Sequence, residues 1–175
     1  LGLVGESGSG KSVTGFSIMG LVDEPGEIHG GQIKFKGEDL TKVSSKRYDG
    51  LRGREIAMIF QDPMMTLNPL LRIDTQMIEA ILAHESVSKD VARQRARDAL
   101  GMVGISSPDE RLRAYPHQFS GGMRQRVVIA ISMLHAPDII IADEPTTALD
   151  VTIQAQILYE MQKLRQNHSV SIIWI

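Results

Sequence analysis

A glycine-rich segment lies near the start of the sequence, at Gly5-Glu6-Ser7-Gly8-Ser9-Gly10-Lys11-Ser12. It fits the pattern G-x-x-x-x-G-K-[ST], in which glycines let the backbone wrap around phosphate oxygens. Leu1–Val4 precedes it and reads as a buried strand, and a helical pattern follows from Val13 onward. In such a loop Lys11 reaches the outer phosphates of a nucleotide and the Ser12 hydroxyl holds Mg²⁺. Residues 5–13 are therefore predicted to bind phosphates, and a Gly/Ser-rich turn with a solvated lysine is the alternative.

Two carboxylates end a second apolar strand, Ile139-Ile140-Ile141-Ala142. Asp143 follows directly at the carboxyl end, where ligands of parallel sheets bind, so we expect it to meet Mg²⁺ beside Ser12. Glu144 precedes a proline, which favours an extended backbone, and a carboxylate there can orient water for attack on the terminal phosphate. The alternative is that either acid only caps or solvates the strand end.

A second glycine-containing helix start lies at Ser120-Gly121-Gly122-Met123-Arg124-Gln125. Ser120 can cap the helix, and Gly121-Gly122 allows a ligand to approach the backbone closely. The first glycine loop already holds one set of phosphates, so we expect this one to serve a nucleotide on another subunit. An ordinary capped helix after a glycine turn is the alternative.

Composition limits the remaining classes of protein. The 175 residues are enough for one domain, and the absence of cysteine excludes disulfides and thiolate metal sites. The formal net charge of −2 gives no electrostatic case for a nucleic-acid partner. The apolar runs are shorter than the ~18 residues that a membrane span needs. Both ends are strand-like, at Leu1–Val4 and Val170–Ile175, which favours an internal piece of a longer polypeptide, truncated at both ends.

The apolar runs predict an α/β fold with a parallel sheet. They lie at Leu1–Val4, Glu55–Phe60, Ile139–Ala142 and Val170–Ile175, and helical patterns separate them. The alternation over Gln32–Lys36 predicts an exposed antiparallel strand.

Ser88–Val103 predicts a helix capped by Ser88. We expect its apolar residues to share one face: Val91, Ala92, Ala96, Ala99, Leu100 and Val103. Its arginines, Arg93, Arg95 and Arg97, form either a solvated helix face or an anion site.

Together these residues resemble the nucleotide-binding domain of ABC transporters. Five motifs occur in the family's order: Gly5–Ser12, Gln61 in Ile59-Phe60-Gln61-Asp62-Pro63, Phe119–Gln125, Asp143-Glu144 and Ala148-Leu149-Asp150. Three longer stretches, at residues 60–69, 115–126 and 145–152, are similar to the ATPases of bacterial dipeptide, oligopeptide and nickel importers.

The resemblance implies a P-loop NTPase core with a mostly parallel sheet, a small antiparallel β portion near residues 28–40 and an inserted helical subdomain near residues 70–118. It implies that two domains sandwich two ATP molecules head to tail, with Ser120–Gly122 facing the partner's phosphate loop. Gln61 would sense the γ-phosphate, contribute to the Mg²⁺ site and connect both to the helical subdomain. Asp150 would lie at the dimer interface.

The function implied is ATP hydrolysis, with Mg²⁺, that energises a peptide or nickel importer. The implied partners are a second ATPase subunit, identical or different, transmembrane permeases, and indirectly a solute-binding protein, at the cytoplasmic face of the bacterial inner membrane. A soluble ABC protein of DNA repair or translation is the first alternative, but its long coiled-coil insertion has no room between Asp62 and Gly121. A P-loop small-molecule kinase is the second, but it would not need Phe119–Gln125.

The resemblance also implies residues outside this sequence. The family's adenine-stacking aromatic and its switch histidine fall beyond the ends, so the 175-residue chain is expected to bind ATP weakly and hydrolyse it poorly. The stretch Met64–Leu70 is expected to receive a permease helix or to belong to the helical core. Four histidines are expected at the surface or in helices: His29, His84, His117 and His135.

Overall fold

The computed structural model describes residues 1–146, 151–168 and 170–175. Its strands are β1 (Lys34–Phe35), β2 (Glu38–Asp39), β3 (Ile56–Ile59), β4 (Ile139–Ala142) and β5 (Ser171–Trp174). Its helices are α1 (Lys11–Met19), α2 (Ser45–Leu51), α3 (Ile73–Leu82), α4 (Lys89–Met102), α5 (Pro108–Leu112), α6 (Gly121–Ser132) and α7 (Val151–His168). Short 3₁₀ turns lie at Leu40–Lys42, Pro63–Met65 and Pro116–Gln118.

The central sheet is parallel, in the order β3-β4-β5. The segment before the phosphate loop adds on the far side of β5 through a single parallel bridge between Gly2 and Trp174. Leu3 N donates to Trp174 O at 2.7 Å, and Trp174 N donates to Leu1 O at 2.8 Å. Because all these segments run in one direction, the residues that follow them meet at one edge of the sheet. The predicted α/β fold with a parallel sheet is confirmed.

The prediction of a buried strand at Leu1–Val4 is wrong. Only Gly2 forms a bridge, Leu1 is exposed, and 95% of Val4 is accessible to solvent. Among the described residues this segment pairs with β5 on one side only, and beyond Leu3 the chain turns away into the phosphate loop. Apolar composition alone did not distinguish this edge from the buried β4.

The antiparallel strand expected at Gln32–Lys36 exists but is shorter. β1 pairs with β2 in the register Lys34↔Asp39 and Phe35↔Glu38. The two connecting residues, Lys36 and Gly37, have φ angles of 49° and 84°. Positive φ at both central residues is the geometry of a two-residue hairpin turn, which ends the strand at Phe35.

The helices α3, α4 and α5 form an insertion between β3 and β4, here called the helical arm. Ser88 caps α4, since its Oγ accepts a hydrogen bond from Val91 N at 3.3 Å, as predicted. The buried face of α4 contains Ala92, Ala96, Ala99 and Leu100. Val91 is exposed instead, because it lies in the first turn and outside that face. Helix α6 packs against both α4 and β3, so it joins the arm to the sheet.

The three arginines of α4 form ion pairs rather than an anion site. Arg93 pairs with Asp74 at 2.8 Å, and Arg97 pairs with Asp109 at 2.9 Å. Arg95 pairs with Glu85 at 2.5 Å. Each guanidinium therefore already has a carboxylate partner within the arm.

In the part of the chain that the structure describes, no helix has both the length and the apolar character needed to cross a bilayer.

Candidate nucleotide-binding site

The loop at residues 5–12 connects the bridge at Gly2 to helix α1. Gly8 and Gly10 have φ angles of 80° and 89°, in the left-handed region that favours glycine. Gly10 is the N-cap of α1, and Lys11 and Ser12 are its first residues. A helix start carries unpaired N–H groups and the positive end of the helix dipole, which together attract phosphate. The glycine pattern thus forms a loop of the kind that the sequence predicts.

The Lys11 ammonium group is held by the loop itself. Its Nζ donates to the carbonyl oxygens of Gly5 and Glu6, each at 3.0 Å. These contacts place a positive charge at the loop that is predicted to receive phosphate. A bound phosphate would offer the same ammonium group stronger, charge-assisted acceptors.

Ser12 and Asp143 come together although 131 residues separate them in sequence. Ser12 Oγ donates to Asp143 Oδ1 at 3.0 Å. Asp143 follows β4 directly, its amide donates to Ile59 O at 2.9 Å, and only 4% of the residue is exposed. A hydroxyl beside one ionisable carboxylate suits Mg²⁺, which typically binds one or two carboxylates together with substrate phosphates. The pair therefore fits the ion that the sequence predicts.

Gln61 and Glu144 also contact each other. Gln61 Nε2 donates to Glu144 Oε2 at 2.9 Å, so the residue after Asp143 reaches across to the chain that follows β3. Glu144 has a φ angle of 42°, and its amide donates to Ile175 O at 3.1 Å. The extended backbone expected before a proline is therefore wrong here. The bond to Ile175 helps to hold the left-handed conformation, which is a strained one for a residue with a side chain.

The chain after Gln61 is fastened to the helical arm through one amide side chain. Gln76 of α3 accepts from Asn68 N at 2.8 Å and donates to Asn68 O and Leu71 O, each at 3.0 Å. Leu67 is buried in the hydrophobic core that the arm shares with α6 and the sheet, whereas 82% of Leu70 is exposed. Residues of Met64–Leu70 therefore differ in position: Leu67 belongs to the core, and Leu70 is accessible to a partner.

Ser120 caps α6, as predicted, with its Oγ accepting from Met123 N at 3.3 Å. Ser120 and Gly121 are exposed and Gly122 is buried. Within the described ranges, no hydrogen bond joins Ser120–Gly122 to the phosphate loop of the same chain. Asp150, expected at the dimer interface, lies outside the described residues.

One histidine departs from the expectation of a surface or helical position. His135 lies in the turn between α6 and β4, and its side chain is only 5% exposed. Burial is tolerated because the ring nitrogens face the Glu85 carboxylate and Ala80 O. His29 and His117 are exposed, as expected.

Residues 1–146, 151–168 and 170–175 contain no cluster of three or more His, Cys, Asp or Glu side chains able to hold a metal.

The family model described as ABC transporter matches residues 1–147. This chain belongs to the ABC transporter family. Two relatives come from Bacillus subtilis (strain 168): the dipeptide transport ATP-binding protein DppD, 55% identical over 99% of this chain, and the oligopeptide transport ATP-binding protein OppD, 53% identical over 100%. The Escherichia coli (strain K12) DppD is 51% identical over 100%. The chain spans about half the length of these relatives, at 52%, 49% and 54%.

Solved structures give the same fold. The ATP-binding cassette MJ0796, in a dimer described as a post-hydrolysis state with ADP and Pi, has a TM-score of 0.81 and 28% identity. The alignment covers 99% of this chain and 72% of that one. A second dimeric structure of MJ0796, described as a bacterial ABC transporter cassette, gives the same values. The predicted P-loop NTPase architecture is therefore confirmed.

Sequence reasoning identified the residues of this edge and expected Asp143 to lie beside Ser12, but it did not predict the contacts of Glu144. Neither the Gln61–Glu144 hydrogen bond nor the Ile175 carbonyl that holds Glu144 leaves a signal in sequence. Both depend on which strands are neighbours in the sheet.

Proposed function

We propose that this chain is the nucleotide-binding part of an ATPase subunit that energises a bacterial peptide importer. The observation that carries the proposal is the meeting of Ser12 with Asp143 at 3.0 Å, next to the glycine loop that presents Lys11. These three residues offer a cation for phosphate, and a hydroxyl and a carboxylate for Mg²⁺, at one edge of the sheet. Binding ATP with Mg²⁺ is the activity that this combination supports best.

Each residue has a distinct role in the proposed reaction. Lys11 and the amino end of α1 bind the phosphates, while Ser12, Asp143 and the Gln61 side chain hold Mg²⁺. When bound, Mg²⁺ supplies charge that stabilises the phosphates during transfer. Glu144 orients a water molecule and takes its proton as the water oxygen attacks the terminal phosphorus and the bond to the departing ADP oxygen breaks.

A second copy or a related ATPase subunit completes the proposed site. Ser120 and Gly121 are exposed at the start of α6, where a partner's nucleotide can reach them. The solved MJ0796 structures are dimers, which supports a dimer here, and the proposed arrangement is head to tail. Asp150 is proposed to lie at that interface.

A transmembrane permease is the proposed second partner. An apolar cavity of about 250 Å³ lies between the end of α1, β3 and α6. Its lining includes Met19, Phe60 and Val128, and it adjoins Thr66 on the segment that leads to the exposed Leu70. We assign this surface to a helix from a cytoplasmic permease loop, which places the subunit at the cytoplasmic face of the bacterial inner membrane.

Peptides are the proposed solute class. The relatives at 51–55% identity are named as dipeptide and oligopeptide transport proteins, which favours peptides over nickel. They also favour an importer subunit over a soluble ABC protein or a small-molecule kinase. Permeases and a solute-binding protein would select the individual peptide, and the ATPase would contact the solute-binding protein only indirectly.

The test is phosphate release by the subunit assembled in its transporter, with Glu144→Gln and Glu110→Gln as a matched pair. Loss of a general base costs ~10²–10⁴-fold in rate, so Glu144→Gln is expected to lower turnover at least about 10²-fold while ATP still binds. Glu110, exposed on α5, is the control and should leave turnover unchanged. Equal rates for the two variants would contradict the proposed role of Glu144, and uptake of a labelled dipeptide should fall in parallel with turnover.

A further inference from the structure

A charged cluster far along the chain from the phosphate loop joins the helical arm to the core. Glu85 lies just after α3, Arg95 lies on α4, and His135 lies in the turn between α6 and β4. The Glu85 carboxylate accepts two hydrogen bonds from Arg95, at 2.5 and 3.1 Å. Its Oε1 lies 2.8 Å from His135 Nδ1. These three residues are called the latch below.

Three contacts of the latch cross from the arm to the α6–β4 turn. Besides the contact between His135 and Glu85, Arg95 Nη2 donates to Leu134 O at 2.7 Å. His135 Nε2 lies 3.1 Å from Ala80 O, in the last turns of α3. The cluster therefore bonds the last turn of α3, the α3–α4 connection and the middle of α4 to the turn between α6 and β4.

The two ring nitrogens of His135 match the two hydrogen-bond acceptors that surround the ring. A carbonyl and an ionised carboxylate can only accept hydrogen bonds, and each ring nitrogen of His135 faces one of these two acceptors. Arg95, and after it His135, lowers the pKa of Glu85 to about 2, so this carboxylate stays ionised at neutral pH. Burial, and next the charge of His135, lowers the pKa of His84, whose ring packs edge-on at 5.0 Å.

The latch lies at the end of the fold opposite to the candidate site. His135 comes shortly before the amino end of β4, whereas Asp143 follows its carboxyl end. It also comes directly after α6, whose start carries Ser120. A helix of 12 residues is about 18 Å long, so the latch holds the far end of the element that presents Ser120.

The ion pair between Arg97 and Asp109 provides a contrast on the same helix. It joins α4 to α5 within the arm. The Asp109 side chain is 68% exposed and that of Arg97 43%, and among the described residues no hydrogen bond joins this pair to the α6–β4 turn. Exposed pairs of this kind contribute little to stability or orientation. The latch differs because it includes a buried ring and crosses between two parts of the fold.

We propose that Glu85, Arg95 and His135 are positioning residues that fix the helical arm against the α6–β4 turn and so set the orientation of Ser120–Gly122. The fixing of the arm concerns the structure alone, whereas the role in orienting Ser120–Gly122 rests on the proposed function. The contacts of the latch do not include Lys11, Ser12 or Asp143, so it acts through the orientation of the arm and of α6.

The first test measures the distance between spin labels on the arm and the core. The chain has no cysteine, so Asp90→Cys on α4 and Lys46→Cys on α2, both exposed, give the only label sites. Arg95→Gln and His135→Ala are expected to broaden the distance distribution, and the matched control Arg97→Gln should leave it as in the wild type. An unchanged distribution in both latch variants overturns the proposal. If circular dichroism shows that either variant is unfolded, the same distance measurement is made on Glu85→Gln, which keeps the side-chain volume. Its distance distribution then decides whether the proposal holds.

The second test separates orientation from nucleotide binding. In the assembled transporter, Arg95→Gln should keep its affinity for ATP with Mg²⁺, because Lys11, Ser12 and Asp143 lie elsewhere. Its kcat should fall about 10²-fold, the scale that a misplacement of ~1 Å causes, while Arg97→Gln keeps the wild-type kcat. A broadened distance distribution with an unchanged kcat overturns the positioning role of the latch. Absence of turnover in the wild type contradicts the proposed function instead, and the label distances still decide whether the latch fixes the arm.

Discussion

Glu85 keeps its negative charge to low pH because Arg95 and His135 both bond to its carboxylate. These partners lower its pKa from 4.5 to about 2. In the interval between these values the unfolded chain binds a proton that the folded chain does not, so acid favours unfolding. The stabilisation is complete above pH 4.5 and is lost as the pH falls towards 2.

Glu85→Gln should therefore flatten the dependence of stability on pH. We expect the free energy of unfolding of the wild type to fall more steeply between pH 5 and pH ~2 than that of the variant, as measured by urea denaturation at each pH. Glu79→Gln, exposed on α3, is the control and should keep the wild-type slope. Parallel curves for the wild type and Glu85→Gln would show that the fold does not stabilise this charge.

For single residues, the sequence predicts which side chains belong to the site better than it predicts their backbone conformation and contacts. Lys11 and Ser12 were predicted from the spacing of the glycine loop. Asp143 was expected to meet Mg²⁺ beside Ser12 because it ends a parallel strand, and the two side chains lie within hydrogen-bond distance. The left-handed backbone of Glu144 was not predictable, since it depends on a hydrogen bond to Ile175, the residue that follows β5. His135 was misplaced for a similar reason, because its two acceptors come from the arm.

At the scale of elements, two helices begin in the same way but are proposed to do different work. Ser88 starts α4 and Ser120 starts α6, and each Oγ accepts from the third following amide at 3.3 Å. Loss of such a cap typically costs ~0.5–2 kcal/mol. Ser88→Ala and Ser120→Ala should therefore destabilise the protein by similar amounts.

Only Ser120→Ala should also impair ATP turnover, because Ser120 is proposed to face a partner's nucleotide. Thermal unfolding measures the shared loss of stability, and phosphate release by the assembled transporter measures the difference. Removal of one positioned donor typically lowers rate by ~10²–10³-fold. A similar loss of turnover in Ser88→Ala would reduce the role of Ser120 to helix capping.

The accuracy of the predicted elements follows from how strongly local residues determine them. β4 was predicted with its observed bounds because four consecutive apolar residues fill a strand buried on both faces. The antiparallel strand at Gln32–Lys36 was predicted too long, because the tight turn at Lys36-Gly37 was not recognised. Leu1–Val4 shows the limit of composition, since pairing on one side leaves apolar residues exposed.

At the scale of the whole molecule, the parallel sheet gathers segments that are far apart in sequence. The glycine loop, Gln61 and Asp143-Glu144 each follow a segment of that sheet, so they share one edge. The helical arm enters between β3 and β4, where one amide of Gln76 fastens it to the chain after Gln61 and the latch is proposed to fix it at the opposite end. The placement of the arm was implied by the family resemblance, not by the periodicity of its residues.

The most direct test of the central claim, that this edge binds ATP with Mg²⁺, is a calorimetric titration of the chain and two lysine variants. Lys11 and Lys89 are each the first residue of a helix, α1 and α4, but only Lys11 follows the glycine loop. Lys11→Ala is expected to abolish binding of ATP with Mg²⁺ while circular dichroism shows an intact fold, and Lys89→Ala is expected to bind ATP as the wild type does. Equal ATP affinity in the wild type and Lys11→Ala would contradict the account.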